Sequence, residues 1–265
     1  MSEPTWARTG DLISEPDGTV GPRHPGWEVL LVLGLSLGQS AVYSVLSILD
    51  KLTRPQPLNQ QTTQINTSVT PDRPWLDVAY QLAGIAFPLV PAILALYLLS
   101  LTGDRARIGF DLNRPWRDLG AGFLIAAGIG IPGLVLYLAA RAFGFNTNVE
   151  PSNLTANWWT IPILAGVAIM NGVLEEVVII GFWFTRMSQA GWSVAAVLIV
   201  SALIRGSYHL YQGFGGFVGN LIMGLVFGLV YLKWKRVGPL VAAHGLINLV
   251  AFIGYSLLAP HVDWF

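Results

Sequence analysis

Two adjacent carboxylates, Glu175 and Glu176, stand in the middle of NGVLEEVVIIGFWFTR (171–186), a stretch apolar enough to sit in a lipid bilayer. Ionised groups at that depth cost roughly 2.5 to 3.5 kcal/mol each on insertion scales, so they are rarely kept without a partner or a task. All other acidic residues fall in tails, loops or at the ends of apolar stretches. The remaining polar side chains within such stretches are Arg205 and His209 in RGSYH, and His244 and Asn248 in HGLIN. Each of these pairs is spaced by four residues, which puts its members on one helical face. This set can do acid–base chemistry. A carboxylate in a low-dielectric pocket suits a general base, imidazoles move protons, and prearranged donors hold a developing oxyanion strongly where water is scarce. Two carboxylates and two imidazoles are also plausible zinc ligands, although no HExxH spacing is present.

These residues need an apolar frame to position them. The chain of 265 residues is 53% hydrophobic and only 11% charged, with a mean hydropathy of +0.57, which does not suit a water-soluble surface. Seven stretches can cross about 30 Å of hydrocarbon as helices. They lie near Trp27 to Leu49, Trp75 to Leu101, Leu119 to Phe143, Trp158 to Thr185, Trp192 to Tyr211, Phe217 to Lys233 and Pro239 to Leu258. The expected fold is therefore all-α: a polytopic membrane helix bundle of about seven transmembrane helices, or eight if a half-span is hidden. Small-residue spacings such as Gly224 with Gly228 permit close helix contact. Residues 1–26, rich in Pro, Gly and acids and lacking a cleavable apolar core, read as a disordered tail, with 27–265 as the membrane domain.

Lys and Arg are distributed unevenly: ten fall on the side of the tail and the even-numbered loops, four on the other. The positive-inside bias places the N-terminus in the cytoplasm. We expect an integral protein of a bacterial plasma membrane. Zero cysteines exclude disulfides, thiol nucleophiles and thiolate metal sites. Equal numbers of acids and bases, with no basic block, give no support for a nucleic-acid partner. Treating the fourth and fifth spans as a hairpin turning near Trp192 puts Glu176, 16 residues before it, level with His209, 17 after it. His244 lies only a few residues past KWKRVG, so it meets Glu176 only if spans four and five extend beyond the membrane on the cytoplasmic side. The expected result is a pocket beneath the cytoplasmic surface.

The order EE, then H, then HxxxN, each on its own apolar span, resembles the CAAX protease and bacteriocin-processing family (CPBP, also Abi or type II CAAX prenyl endopeptidases), which are intramembrane proteases. The resemblance covers roughly Trp158 to Leu258. It implies a glutamate-dependent hydrolase, metal-independent and without cofactor, in which Glu175 and His209 activate water with Glu176 in support. His244 and Asn248 would hold the oxyanion. The family patterns are usually EExxxR and FxxxH, but this chain has Ile180 at the first arginine position and Arg205 at the phenylalanine position. Ile180 and Arg205 fall opposite each other on the hairpin register. The arginine is therefore expected to have moved across the helix pair, still orienting the carboxylates as a supporting residue. The implied partner is a membrane-associated protein or peptide substrate.

Each residue taken singly has a blander reading. A histidine within a helix is commonly a satisfied packing group, and an asparagine amide commonly bridges membrane helices. Arg186 reads as a cytoplasmic anchor at a span end. Asn171, Asn220 and Tyr208 are neighbours in sequence without an assigned role. Intramembrane Glu and His also suit a transporter or proton relay, although no internal repeat is visible, and a non-catalytic membrane scaffold is the third class. The choice of substrate, prenylated or not, and the oligomeric state have no signature in the chain.

Overall fold

The computed structural model describes residues 24–258. The tail expected to be disordered therefore lies outside the described residues up to position 23, while Pro25 and Gly26 already belong to the first helix. The helices begin where the sequence gives start signals: Pro25, Pro74 and Pro115 each occupy a first turn, where a missing N–H costs nothing.

The chain runs through α1 (Pro25–Gly34) and α2 (Leu37–Leu52), which meet at 51° and together make one bent crossing. The bend has a local cause: the Ser36 hydroxyl donates to the Val32 carbonyl at 2.6 Å, drawing on a helical acceptor. Next come β1 (Thr62–Thr67), then α3 (Pro74–Ala86) and α4 (Leu89–Leu101), which form one crossing, then α5 (Pro115–Ala142) and β2 (Asn148–Asn153). The fourth crossing is composite: α6 (Thr160–Glu175), a π-helical segment (Glu176–Phe182) and α7 (Trp183–Gln189). It is followed by α8 (Val194–Tyr208), α9 (Phe214–Trp234) and α10 (Gly238–Leu258).

This is a polytopic helix bundle: among the described residues five helices are long and apolar enough to cross a membrane, six where the bent pair is taken as one span. The seventh apolar segment, α8, has only 15 residues, about 22 Å at the helical rise, and falls short of the hydrocarbon thickness. Its chain breaks after Tyr208 into a 3-10 turn, Leu210–Gln212, where a span to Tyr211 was expected. Exposed side chains on the outer helices are apolar, among them Leu31, Phe123, Leu124, Ile131 and Val135, as lipid contact requires. The protein is an integral membrane protein. At Gly224 of α9 a Cβ would lie 3.0 Å from the Ala202 backbone of α8, the close helix contact expected of its small-residue spacing.

An element not anticipated from the sequence is the parallel pairing of β1 with β2, in the loops after the first and third crossings. It caps the end of the bundle opposite the basic loops. Strand order is weakly signalled in such short polar segments, because no alternating apolar face marks them.

Candidate active site

The site is built on the composite fourth crossing. Every residue of the π segment is buried, and Glu175 and Glu176 stand at the junction where α6 widens into it. Such wide turns re-aim side chains and are frequent at functional sites. Gly172, one turn earlier, lets α10 approach closely: a Cβ there would lie 2.9 Å from the Val241 carbonyl. That approach brings in His244, whose Nδ1 is 2.7 Å from Glu176 Oε1 and whose Nε2 is 3.9 Å from Glu175 Oε2.

Arg205 enters from α8. Its Nη2 donates to both oxygens of Glu176, at 2.8 Å each, and its Nη1 lies 3.6 Å from Glu175 Oε2. Beneath it sits the Phe227 ring of α9, 5.4 Å from the guanidinium carbon. Tyr208, one turn further along α8, donates its hydroxyl to Glu175 Oε2 at 2.6 Å. With both oxygens of Glu176 receiving the guanidinium, its carboxylate is an acceptor, so His244 donates from Nδ1 and leaves Nε2 toward Glu175.

His209 follows the last residue of α8. Its ring packs edge-on against Tyr208 at 4.8 Å, and its buried Nδ1 has no hydrogen-bond partner. The turn that carries it is clamped from three sides. Lys51 donates to the Tyr211 carbonyl at 2.5 Å and to Thr63 at 2.7 Å, Ser44 accepts from the Tyr211 amide at 2.6 Å, and Thr147 binds the Gln212 carbonyl. Among the described residues His209 makes no hydrogen bond to either glutamate. The hairpin register is therefore off by about one turn. The π segment packs more residues into its length than the helical rise assumes, so Arg205 and Tyr208, earlier on α8, reach the depth expected for His209.

A cavity of about 550 Å³ joins these groups. Glu175, Tyr208, His209, His244, Asn248 and Asn171 line it, whereas Glu176 and Arg205 do not. It runs from Glu175 to Ile65, Asn66, Thr67 and Val69 at the sheet-capped end, not to the basic end where the pocket was expected. The physical reason is packing below the site: a Cβ at Gly181 would meet Ile108 at 3.0 Å and Val237 at 3.3 Å, which closes that side. The same contact bears on the depth of His244: α10 starts level with Gly181, and α7 continues for about two more turns past it toward the basic end.

Residues 157–250 match the family model of the type II CAAX prenyl endopeptidase Rce1-like proteins. The resemblance to this intramembrane protease family thus holds over the segment that carries EE, Arg205, His209 and HxxxN, with α1 to α5 outside the match. No curated protein and no solved structure matches the chain.

Of the sequence candidates, Glu175, Glu176, His244 and Arg205 come together directly, and His209 and Asn248 share the cavity. Ile180 is buried in the apolar core, with Arg205 supplying the guanidinium. Arg186 is not a surface anchor: it is fully buried and binds Glu28, Asp104 and Thr102. Tyr208 is the contact that sequence reasoning passed over. Its signal was its place, three residues after Arg205 on the same helical face.

Glu175, Glu176 and His244 offer ligand atoms within 4.8 Å of one another, close enough for a divalent ion. The donor set fits one poorly. Both Glu176 oxygens are already taken by Arg205, and a cation between the carboxylates would face a guanidinium 3.6 Å from Glu175.

Proposed function

We propose that this protein is a glutamate-dependent intramembrane endopeptidase that hydrolyses a peptide bond in a membrane-associated protein or peptide. The observation that carries this reading is the division of labour in the glutamate pair. Glu176 is locked by Arg205 and His244 behind the wall, while Glu175 alone faces the cavity.

Water in the cavity is activated by Glu175, with the His209 ring on the same cavity wall. Glu175 takes one proton as the water oxygen attacks the carbonyl carbon. The oxyanion that forms is held by the Asn248 amide and by His244, whose imidazolium form is balanced by Glu176 behind it. The carbon–nitrogen bond then breaks, and Glu175 returns its proton to the leaving amine. A carboxylic acid and an amine are released, and the enzyme is restored. Tyr208 fixes one Glu175 oxygen, so the other is the one free to work.

The test compares membrane proteomes and released peptides of native cells carrying the wild type or Glu175→Gln, with purified protein assayed in parallel with and without a chelator. We expect cleavage products only with the wild type, and no loss with chelator. Identical peptides in both strains, or Glu175-dependent proton flux in liposomes without cleavage, would overturn the hydrolase reading. Chelator inhibition reversed by zinc alone would overturn its metal-free form.

A further inference from the structure

We propose that the substrate is taken as an extended peptide that adds a third strand to the free edge of β1, resting on the hydrolytic reading above. The pairing of β1 with β2 sets the geometry. Thr62 stands opposite Asn148, and the Asn148 amide donates to the Gln61 carbonyl at 2.9 Å. In a parallel ladder alternate residues turn both main-chain groups toward the partner strand. Residues 61, 63, 65 and 67 therefore face β2, and Thr62, Gln64 and Asn66 present their amides and carbonyls to the opposite side. The sheet has two strands, so among the described residues that edge is unpaired.

Of the edge residues Asn66 lines the cavity, together with its neighbours Ile65, Thr67 and Val69, and no residue of Asn148–Asn153 does, so the cavity lies beside β1 and away from β2. The same cavity is lined by Glu175 and His244, so a strand laid along β1 carries its continuation to the groups assigned to hydrolysis. A row of unsatisfied main-chain groups is a ready template for a further strand. Such addition recognises the peptide through its backbone, with alternate side chains read by pockets. It also explains why the catalytic groups sit beneath a sheet in an otherwise helical bundle. The segment to be cut must leave helical structure, because a helix uses its own amides internally and offers none to an edge.

The occupant is thus an unwound peptide segment; a helix bound whole in the same cavity is the competing outcome. The experiment uses the full chain in detergent micelles and, as probe, a fluorogenic decapeptide chosen from a random-sequence mixture because the wild type cleaves it. Gln64→Pro removes one edge amide that the β1–β2 ladder does not use, a substitution edge strands tolerate. It should lower kcat/KM roughly tenfold, and Gln64→Ala, which keeps the amide, should lower it less. N-methylation of successive peptide amides, read on the wild type and so independent of any variant's folding, should inhibit at every second position on one side of the cut. Full activity of Gln64→Pro, or inhibition by N-methylation without alternation, overturns strand addition and leaves hydrolysis standing. Equal cleavage of the decapeptide by Glu175→Gln overturns the hydrolytic reading and, with it, this proposal.

Discussion

Among the described residues two arginines, Arg186 and Arg205, are fully buried, and they are used in opposite ways. Arg186, near the basic end, spends all three nitrogens. Nε donates to Glu28 at 2.6 Å, Nη1 to Thr102, Asp104 and Gln189 at 2.9 to 3.2 Å, and Nη2 to the Leu98 carbonyl at 2.7 Å. It thereby ties α1, α4 and α7 together. Arg205, at the candidate site, donates only from Nη2, and its Nε and Nη1 are buried without a hydrogen-bond partner. Buried donors are almost always satisfied in folded proteins, so an under-used one calls for a reason. A saturated guanidinium is a fixed staple. An unsaturated one beside Glu175 suits the proposed hydrolysis, in which the charge at the site changes.

The sharpest way to break this contrast is Arg205→Leu. Without the guanidinium, Glu176 loses both of its Arg205 contacts and is held by His244 alone, and misplacement by about 1 Å can cost on the order of 100-fold in rate. Cleavage of a peptide substrate should fall at least that far, and adding Ile180→Arg should restore part of it by returning the charge from the facing helix. An active Arg205→Leu single variant would refute the idea that the arginine has moved across the helix pair. Arg186→Ala should do the reverse. Removing one member of a buried ionic cluster costs about 3 to 5 kcal/mol, so the variant should unfold at markedly lower temperature by its helical circular dichroism in micelles. Molecules that remain folded should keep their turnover number. Lost turnover with unchanged melting would erase the distinction.

How far the sequence reveals this arrangement follows from which signals are local. Hydrophobic runs and first-turn prolines are local, so the helices stand where the pattern puts them. The glutamates, His244 and Arg205 were legible because charge within an apolar run has few explanations. Depth was not, because a count at 1.5 Å per residue has no knowledge of the π segment, and it assigned His209 a level that Arg205 and Tyr208 hold. Tyr208 escaped because a tyrosine near a span end is ordinary. Its contact to Glu175 depends on the facing helix, which no local pattern encodes. The direction of the cavity depended on side-chain packing at Gly181, Ile108 and Val237, three residues far apart in sequence. The β1–β2 pair joins loops more than eighty residues apart and has no periodic signature.

A third arginine sharpens the comparison from the solvent side. Arg236, in the loop before α10, donates to Asp111 at 3.1 Å and to Asp118 at 2.6 and 3.2 Å, with its side chain partly exposed. Here the pairing with Asp111 should be worth less, because the Asp111 side chain is 31% exposed and water screens it. The hydrogen bonds from Arg236, helped by the Asn113 amide, hold the Asp111 carboxyl below its ordinary value of 3.8. A carboxyl lowered on folding stabilises the native state above its unfolded value, and that contribution fades as pH falls through the folded one. Asp111→Asn should therefore cost about 1 kcal/mol or less at pH 7. Its melting temperature should converge with that of the wild type as the pH drops below about 4. Melting curves of the two proteins between pH 7 and pH 3 measure this directly. A gap as large as that of Arg186→Ala, or one that widens toward low pH, would show that exposure is not what separates this arginine from the buried pair.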